Sequence, residues 1–375
     1  MTNAATLLDA ASGEPLHPAA RETFAAALDQ GWSDPRRLHR EGRRARLLLD
    51  NARAVVAECL ELRDDEVAFA PTGTEAVQRG LLGLLEGRPG AAREMVHGAV
   101  EHSAVLHTAA WSARREGTRH HSVPVDALGR VDAAAFCEAA RSPGVGVAAL
   151  QSANHEVGTR QPVDDLDLPA GLPLLVDATN TIGRDPLPRQ WAVLTAPARA
   201  WGGPAGVALM AVRRRVRWSN PWPGDDERDG PGPVDVPAAL AAAAALRATL
   251  EEQPERDARH RRLVDRVRAA AATLPDVDVV GDPVDRAPHL LTFSCLYVDG
   301  EALVHALDRR GFAVASGSAC TSSTLEPSHV LSAMGALTHG NVRISLPREV
   351  REEQVEAFCA ALPEVLVELR AGLEL

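Results

Sequence analysis

"EVAFAPTGTEAVQRGLLGLLEG", Glu66–Gly87, sets a short apolar run, a polar turn and a helix-patterned segment in direct succession. The same rhythm continues along the chain. "EMVHG" precedes "HSAVLHTAAWSARREG", and "HHSVPV", "VGVAALQ", "PLLVDA", "WAVLTA" and "GVALMAV" follow, so β-rich runs recur from about Glu66 to Arg213. This alternation predicts a mainly parallel sheet with helices on both faces. In such sheets ligands bind beyond the carboxyl ends of the strands.

Outward from this block, an extended N-terminal segment leads into helical periodicity in "AARETFAAALDQG" and "EGRRARLLLDNARAVVAECLEL". On the other side, Arg217–Pro237 is dense in proline, glycine and acid and reads as a long irregular connection, a type often functional. A long helix is expected over "AALAAAAALRATLEEQPERDARHRRLVDRVRAAAATL". Beyond it, strands ("HLLTFSCLY", "VRISL") alternate with helices ("EALVHALDRRG", "REEQVEAFCAALPEVLVELRAG"), which predicts a smaller α/β domain. The expected division is 1–15 as a segment packing on the small domain, 16–245 as the large domain and 246–375 as the small one.

With 375 residues, two packed domains are the default. The formal charge of -11 argues against a nucleic-acid partner. The basic run "RRLHREGRRAR", Arg36–Arg46, reads as a solvated helix start or an anion patch. No apolar stretch is long enough for a membrane span, since "VPAALAAAAAL" is short and alanine-rich. The N-terminus shows no export signal. Five cysteines without CxxC spacing point to reduced thiols and a cytoplasmic location. All 40 basic residues are arginine; the chain has no lysine.

Four cysteines (Cys59, Cys137, Cys295, Cys359) sit in apolar runs and read as buried small hydrophobes. Cys320 differs. It lies in "SGSACTSSTLEPSHVL" among serines, threonines and glycine, which predicts an exposed, reactive thiol on a polar loop. The turn Thr72-Gly73-Thr74-Glu75 between strand and helix suits a phosphate or a plain N-cap. His102 opens a helix. Asp177 ends the strand "PLLVD", where a carboxylate needs a partner. Arg343 interrupts the strand "NVRISL", as a carboxylate fork or as an interface ion pair.

Together these segments resemble the cysteine desulfurases, class V aminotransferase-type pyridoxal-phosphate enzymes that take sulfur from L-cysteine. The resemblance runs through "LLDAASGEP", "AFAPTGTEAV", "VEHSAV", "NHEVG", "LLVDATNTIG", "SGSACTSSTLEPSHVL" and "NVRISL" in family order. It implies an α/β fold of type I (aspartate-aminotransferase-like), with a mainly parallel seven-stranded-type sheet and a smaller C-terminal α/β domain. It also implies a homodimer with sites at the interface, L-cysteine as substrate and a sulfur-acceptor protein at the Cys320 loop. By position, Gly73 and Thr74 correspond to phosphate binders, His102 to the ring-stacking imidazole and Asp177 to the pyridine-nitrogen partner. Asn180 matches the residue facing the cofactor oxygen, while Asn154, His155 and Arg343 match substrate-side residues and Cys320 the persulfide carrier.

The departures fall in one frame. "LTAPARAWGGPAG", Leu194–Gly206, resembles the family's lysine-bearing turn, yet Pro197 stands for its serine, Arg199 for its histidine and Ala200 for its lysine. Pro233 replaces the threonine a neighbouring subunit lends to the phosphate, His155 the second asparagine of its turn, and Asn180 a glutamine. Without the lysine, covalent cofactor attachment and a general base are lost together, the latter worth ~10²–10⁴ in rate. Arg199 cannot shed a proton near neutrality, though it can bind phosphate. Three readings follow: a lysine-less relative relaying sulfur through Cys320, with pyridoxal phosphate non-covalent or absent; an active desulfurase whose lysine was exchanged for Ala200; or a non-catalytic scaffold. A C–S lyase or transaminase of this fold is a weaker alternative.

Overall fold

A computed structural model describes residues 5–88, 90, 92–223, 230, 232–316 and 327–371. In chain order its strands are β1 (Thr6–Leu7), β2 (Val67–Ala70), β3 (Glu94–Gly98), β4 (His120–Val123), β5 (Val145–Gln151), β6 (Leu174–Asp177), β7 (Val193–Pro197), β8 (Ala208–Val212), β9 (Val277–Val280), β10 (Leu290–Cys295), β11 (Phe312–Ala313) and β12 (Asn341–Ser345). The α-helices are α1 (Pro18–Leu28), α2 (Arg40–Leu60), α3 (Gly73–Glu86), α4 (Ser103–Glu116), α5 (Ala133–Ala140), α6 (Val236–Ala272), α7 (Gly300–Arg309), α8 (His329–Met334) and α9 (Glu352–Ala371).

Seven strands form one sheet in the order β2-β8-β7-β6-β5-β3-β4. Only β8 runs against its neighbours; β4-β3-β5-β6-β7 are parallel. The cause is legible in β5 and β6, which are buried at every position and could not face water on either side. One face of the sheet packs with residues of α1, α2, α5 and the start of α6; the other packs with α3 and α4. The alternation read from Glu66 onward therefore becomes a parallel sheet covered on both faces.

Antiparallel β12-β10-β9 forms a second sheet with its own core, containing Phe293, Ile344 and Phe358. The N-terminal segment joins this part of the molecule. β1 pairs in parallel with β11, Asp9 bridges to Ser345, and Leu8 is buried in that second core. α6 runs from one core to the other, with Leu246 in the first and Leu263 in the second, and Pro254 lies inside it. We keep residues 245/246 as the proposed division; it falls within this helix.

The run Arg36–Arg46 leads into α2, which begins at Arg40 with His39 as its cap, and its arginines pair locally, Arg36 with Asp34 and Arg44 with Gln30. Cys137 and Cys295 are buried and Cys59 and Cys359 half-buried. Burial raises the Cys59 and Cys359 thiols and pushes Cys295 up to about 12. Among the described residues no helix is long and apolar enough to cross a membrane.

Candidate active site

The carboxyl ends of β2, β3, β5, β6 and β7 converge on a cavity of about 380 Å³. Its wall includes the first turn of α3, with Thr72, Gly73 and Thr74. Thr72 caps that helix, its hydroxyl accepting from Glu75 N at 3.0 Å. The N–H groups of Gly73 and Thr74 belong to the first turn, which an α-helix leaves without intrahelical acceptors.

His102 caps α4 in the same way, with Nδ1 accepting from Ala104 N at 3.1 Å. Its Nδ1 is therefore bare and, in the neutral ring, Nε2 carries the proton. Burial lowers its affinity for a second proton, Asp177 opposes that effect and Arg199 adds to it. Asp177, at the end of β6, is 8% exposed and accepts on Oδ1 from the Thr179 N–H at 3.0 Å and the Thr179 hydroxyl at 2.5 Å. Part of the partnership demanded of this buried carboxylate is thus local. Asn180 also lines the cavity, as does Thr195, whose buried hydroxyl is unbonded among the described residues.

The turn after β5 splits its residues between two tasks. Asn154 is fully buried and holds the turn: Oδ1 accepts from Glu156 N and Val157 N, and Nδ2 donates to the Val100 carbonyl. It is not part of the cavity wall. His155 is, with its ring edge-on to His102 at 5.3 Å and tilted to His329 at 6.1 Å. Burial holds His155 well below the ordinary imidazole range, and lowers His329 as well.

Arg343 stands behind this turn. It donates to the His155 carbonyl at 3.1 Å and from Nη2 to Asp9 and Ser12 at 2.9 Å each. Its ion pair joins β12 to the N-terminal segment, and the side chain is outside the cavity wall. In the 198–201 turn, Ala200 is half-buried against the core and also outside that wall. Arg199 lines the cavity but turns Nη1 to the Ser12 carbonyl at 2.6 Å. The Pro197 ring lies against the α3 start, so close that a methyl on Gly73 would sit 3.2 Å from it. Pro233 is exposed, and Cys320 lies outside the described residues.

Residues not singled out from the sequence lie around His155 and its turn, outside the cavity wall. Glu156 accepts from the Ser328 hydroxyl at 2.6 Å, and burial pushes its carboxyl up to about 7. Glu101 is fully buried and held well above the carboxylate range by burial, with Oε1 accepting from Gln151 N. His329 donates to the Glu101 carbonyl at 2.9 Å if Nε2 carries its proton. Their signal in the sequence was thin: a carboxylate directly after His155, and a Ser-His pair closing the cysteine segment.

Residues 7–358 match the family model Aminotransferase class-V. The chain belongs to this family. Within it, the chain is 35% identical to an IscS-like cysteine desulfurase of Mycobacterium tuberculosis, covering 97% of this chain and 96% of that protein. A cysteine desulfurase of Cereibacter sphaeroides is 33% identical over 95% and 94% of the two chains. Among solved structures, a NifS-like protein superposes with a TM-score of 0.89 at 26% identity, covering 97% of this chain and 100% of that one. The apo cysteine desulfurase of Thermococcus onnurineus, at 20% identity and a TM-score of 0.85, shares the fold. The class V fold is thus the type I arrangement expected from the sequence, in a pyridoxal-phosphate-dependent family.

For that cofactor the cavity gives a divided answer. The free first turn of α3, the unbonded Thr195 hydroxyl and the partly free Asp177 carboxylate fit a non-covalently held pyridoxal phosphate. No side-chain amine exists to attach it.

Proposed function

We propose that this class V chain is a lysine-less cysteine desulfurase-like protein that handles sulfur through Cys320, with pyridoxal phosphate held non-covalently or not at all. One observation carries the reading: the turn that should present an amine presents Ala200, and Arg199 beside it spends a guanidinium N–H on Ser12. Asp177 would hold the ring nitrogen, His102 the ring face, and the α3 first turn with Thr195 the phosphate. When bound, pyridoxal phosphate supplies an electron sink for bonds at an amino-acid α-carbon.

The chain's own chemistry is nucleophilic. The Cys320 thiolate attacks the outer sulfur of a small persulfide, R–S–SH; a new S–S bond forms, the old one breaks, and R–S⁻ leaves and takes up a proton. The cavity holds the small sulfur donor, L-cysteine or its persulfide. The working unit is a homodimer in the cytoplasm, and a sulfur-acceptor protein docks at the Cys320 segment.

The test is mass spectrometry after exposure to cysteine persulfide, alongside the visible spectrum with added pyridoxal phosphate. Selective addition of one sulfur at Cys320, without the absorption of a lysine-bound cofactor, is expected. Unselective labelling would favour a scaffold. Turnover of L-cysteine to alanine at ordinary desulfurase rates would overturn the reading.

A further inference from the structure

Among the described residues of the cavity wall, Asp177 is the one carboxylate and Arg199 the one arginine. The wall's two histidines, His102 and His155, are held toward the neutral form by burial. A positively polarised N–H on a bound molecule therefore finds a single anion here. Whatever fixes the direction of that carboxylate fixes where such a group sits. The main chain of Asp177 is pinned first. Its carbonyl accepts from Ser152 N at 2.9 Å and from the Ser152 hydroxyl at 3.1 Å, and β6 pairs it with Gln151 on one side and Thr195 on the other.

That leaves the rotation of the side chain itself, and Thr179 removes it. The Thr179 N–H at 3.0 Å and the Thr179 hydroxyl at 2.5 Å both donate to Oδ1. A carboxylate offers about two lone-pair sites on each oxygen, so Oδ1 is filled. Oδ2, without a partner among the described residues, is the oxygen left for a bound donor. Thr179 lines the same wall, but its hydroxyl proton is spent on Asp177 and is not offered to a ligand. We propose that Thr179 is a positioning residue for the cofactor ring: it locks the Asp177 carboxylate so that Oδ2 alone meets the ring N–H of pyridoxal phosphate. The inference rests on the reading that this cavity holds that cofactor non-covalently. With no lysine in the chain to tether it, the hold on the ring comes entirely from such contacts, so the lock shows directly in affinity.

The experiment measures binding to the full chain by equilibrium dialysis with two probes, pyridoxal 5'-phosphate and its deaza analogue, in which a C–H replaces the ring nitrogen. The analogue keeps the phosphate and the ring shape but brings no N–H to Oδ2. Thr179→Val is expected to weaken pyridoxal phosphate about tenfold, the scale of one hydrogen bond to a charged group, and to leave the analogue unchanged. Thr179→Ala, which cannot crowd the wall, should repeat that split. Thr179→Ser keeps the hydroxyl and should return the wild-type ratio of the two affinities. Equal weakening of both probes, no weakening of either, or a lost ratio in Thr179→Ser would overturn the proposal. A wild type that does not bind pyridoxal phosphate would remove the cofactor reading and the proposal with it. Sulfur addition at Cys320 from cysteine persulfide is read separately by mass, so the Cys320 reading stands or falls on its own.

Discussion

Arg199 donates to the Ser12 carbonyl at 2.6 Å, and Glu14 N donates back to the Arg199 carbonyl at 2.9 Å. Arg199 is thereby a clasp between the cavity wall and the N-terminal segment. Introducing one lysine beside such a clasp does not alter the rest of the turn. Ala200→Lys alone is expected to leave alanine production from L-cysteine at background. Adding Pro197→Ser and Arg199→His should produce the visible absorption of a covalently held cofactor. Full activity from the single change, measured as alanine released, would mark Ala200 as an isolated exchange in an otherwise competent enzyme.

The start of α3 is packed rather than open on its Pro197 side. Gly73→Ala puts a methyl 3.2 Å from a rigid proline ring, and overpacking of this kind costs roughly 1–3 kcal/mol. Urea unfolding should show that loss, and Pro197→Ser should relieve it, so that the double variant is more stable than the sum of the single effects predicts. Strict additivity would mean that the two residues do not press on each other.

The sheet was legible because several of its inner strands are largely apolar runs between turn signals, as in "VGVAALQ". The elements missed were β9, β11, α5 and α8, and β1 was expected only as an extended segment resembling the family's opening strand. β1 and β11 hold two residues each, and their pairing across some 300 positions leaves no local pattern. β9, "VDVV", is an edge strand, with acid interleaved among its valines. Among the site residues, His102 and Asp177 were readable from their places at element ends. Asn154 and Arg343 were read as substrate-side residues, yet their side chains go to the β5 turn and to Asp9, because buried polar groups are satisfied by whatever the fold brings near. Glu156 was overlooked because the pattern shows a carboxylate, not the burial that holds its proton.

Arg343 ties the N-terminal segment to the His155 turn. Arg343→Ala leaves the His155 carbonyl and the Asp9 carboxylate without their donor. Removing one partner of a buried ion pair costs about 3–5 kcal/mol, and the lower end applies because Asp9 is 22% exposed. Denaturation should report this as a general loss of stability, and Asp9→Asn as a smaller one. An Arg343→Ala chain of unchanged stability would show that the bonds of Arg343 to Asp9 and the His155 carbonyl contribute nothing to the fold.

Glu156 provides a pH dependence with a definite sign. Its carboxyl titrates at about 7 in the folded chain against an ordinary 4.5, so the native state binds the extra proton. Its contribution is fully present below about 4.5 and is lost as pH rises to about 7, a span worth on the order of 3 kcal/mol at 1.36 kcal/mol per unit. Buried histidines act oppositely: His155, His97 and His260 are all held neutral, so their contribution fades as pH falls through the ordinary imidazole range. The difference between wild type and Glu156→Gln isolates the carboxyl, since the amide keeps an acceptor for Ser328 without titrating. The wild type should lose stability relative to Glu156→Gln between pH 5 and 8, read from urea unfolding across that range. A constant difference would show that Glu156 is ionised throughout, and that the Ser328 hydroxyl is enough to hold its charge inside the protein.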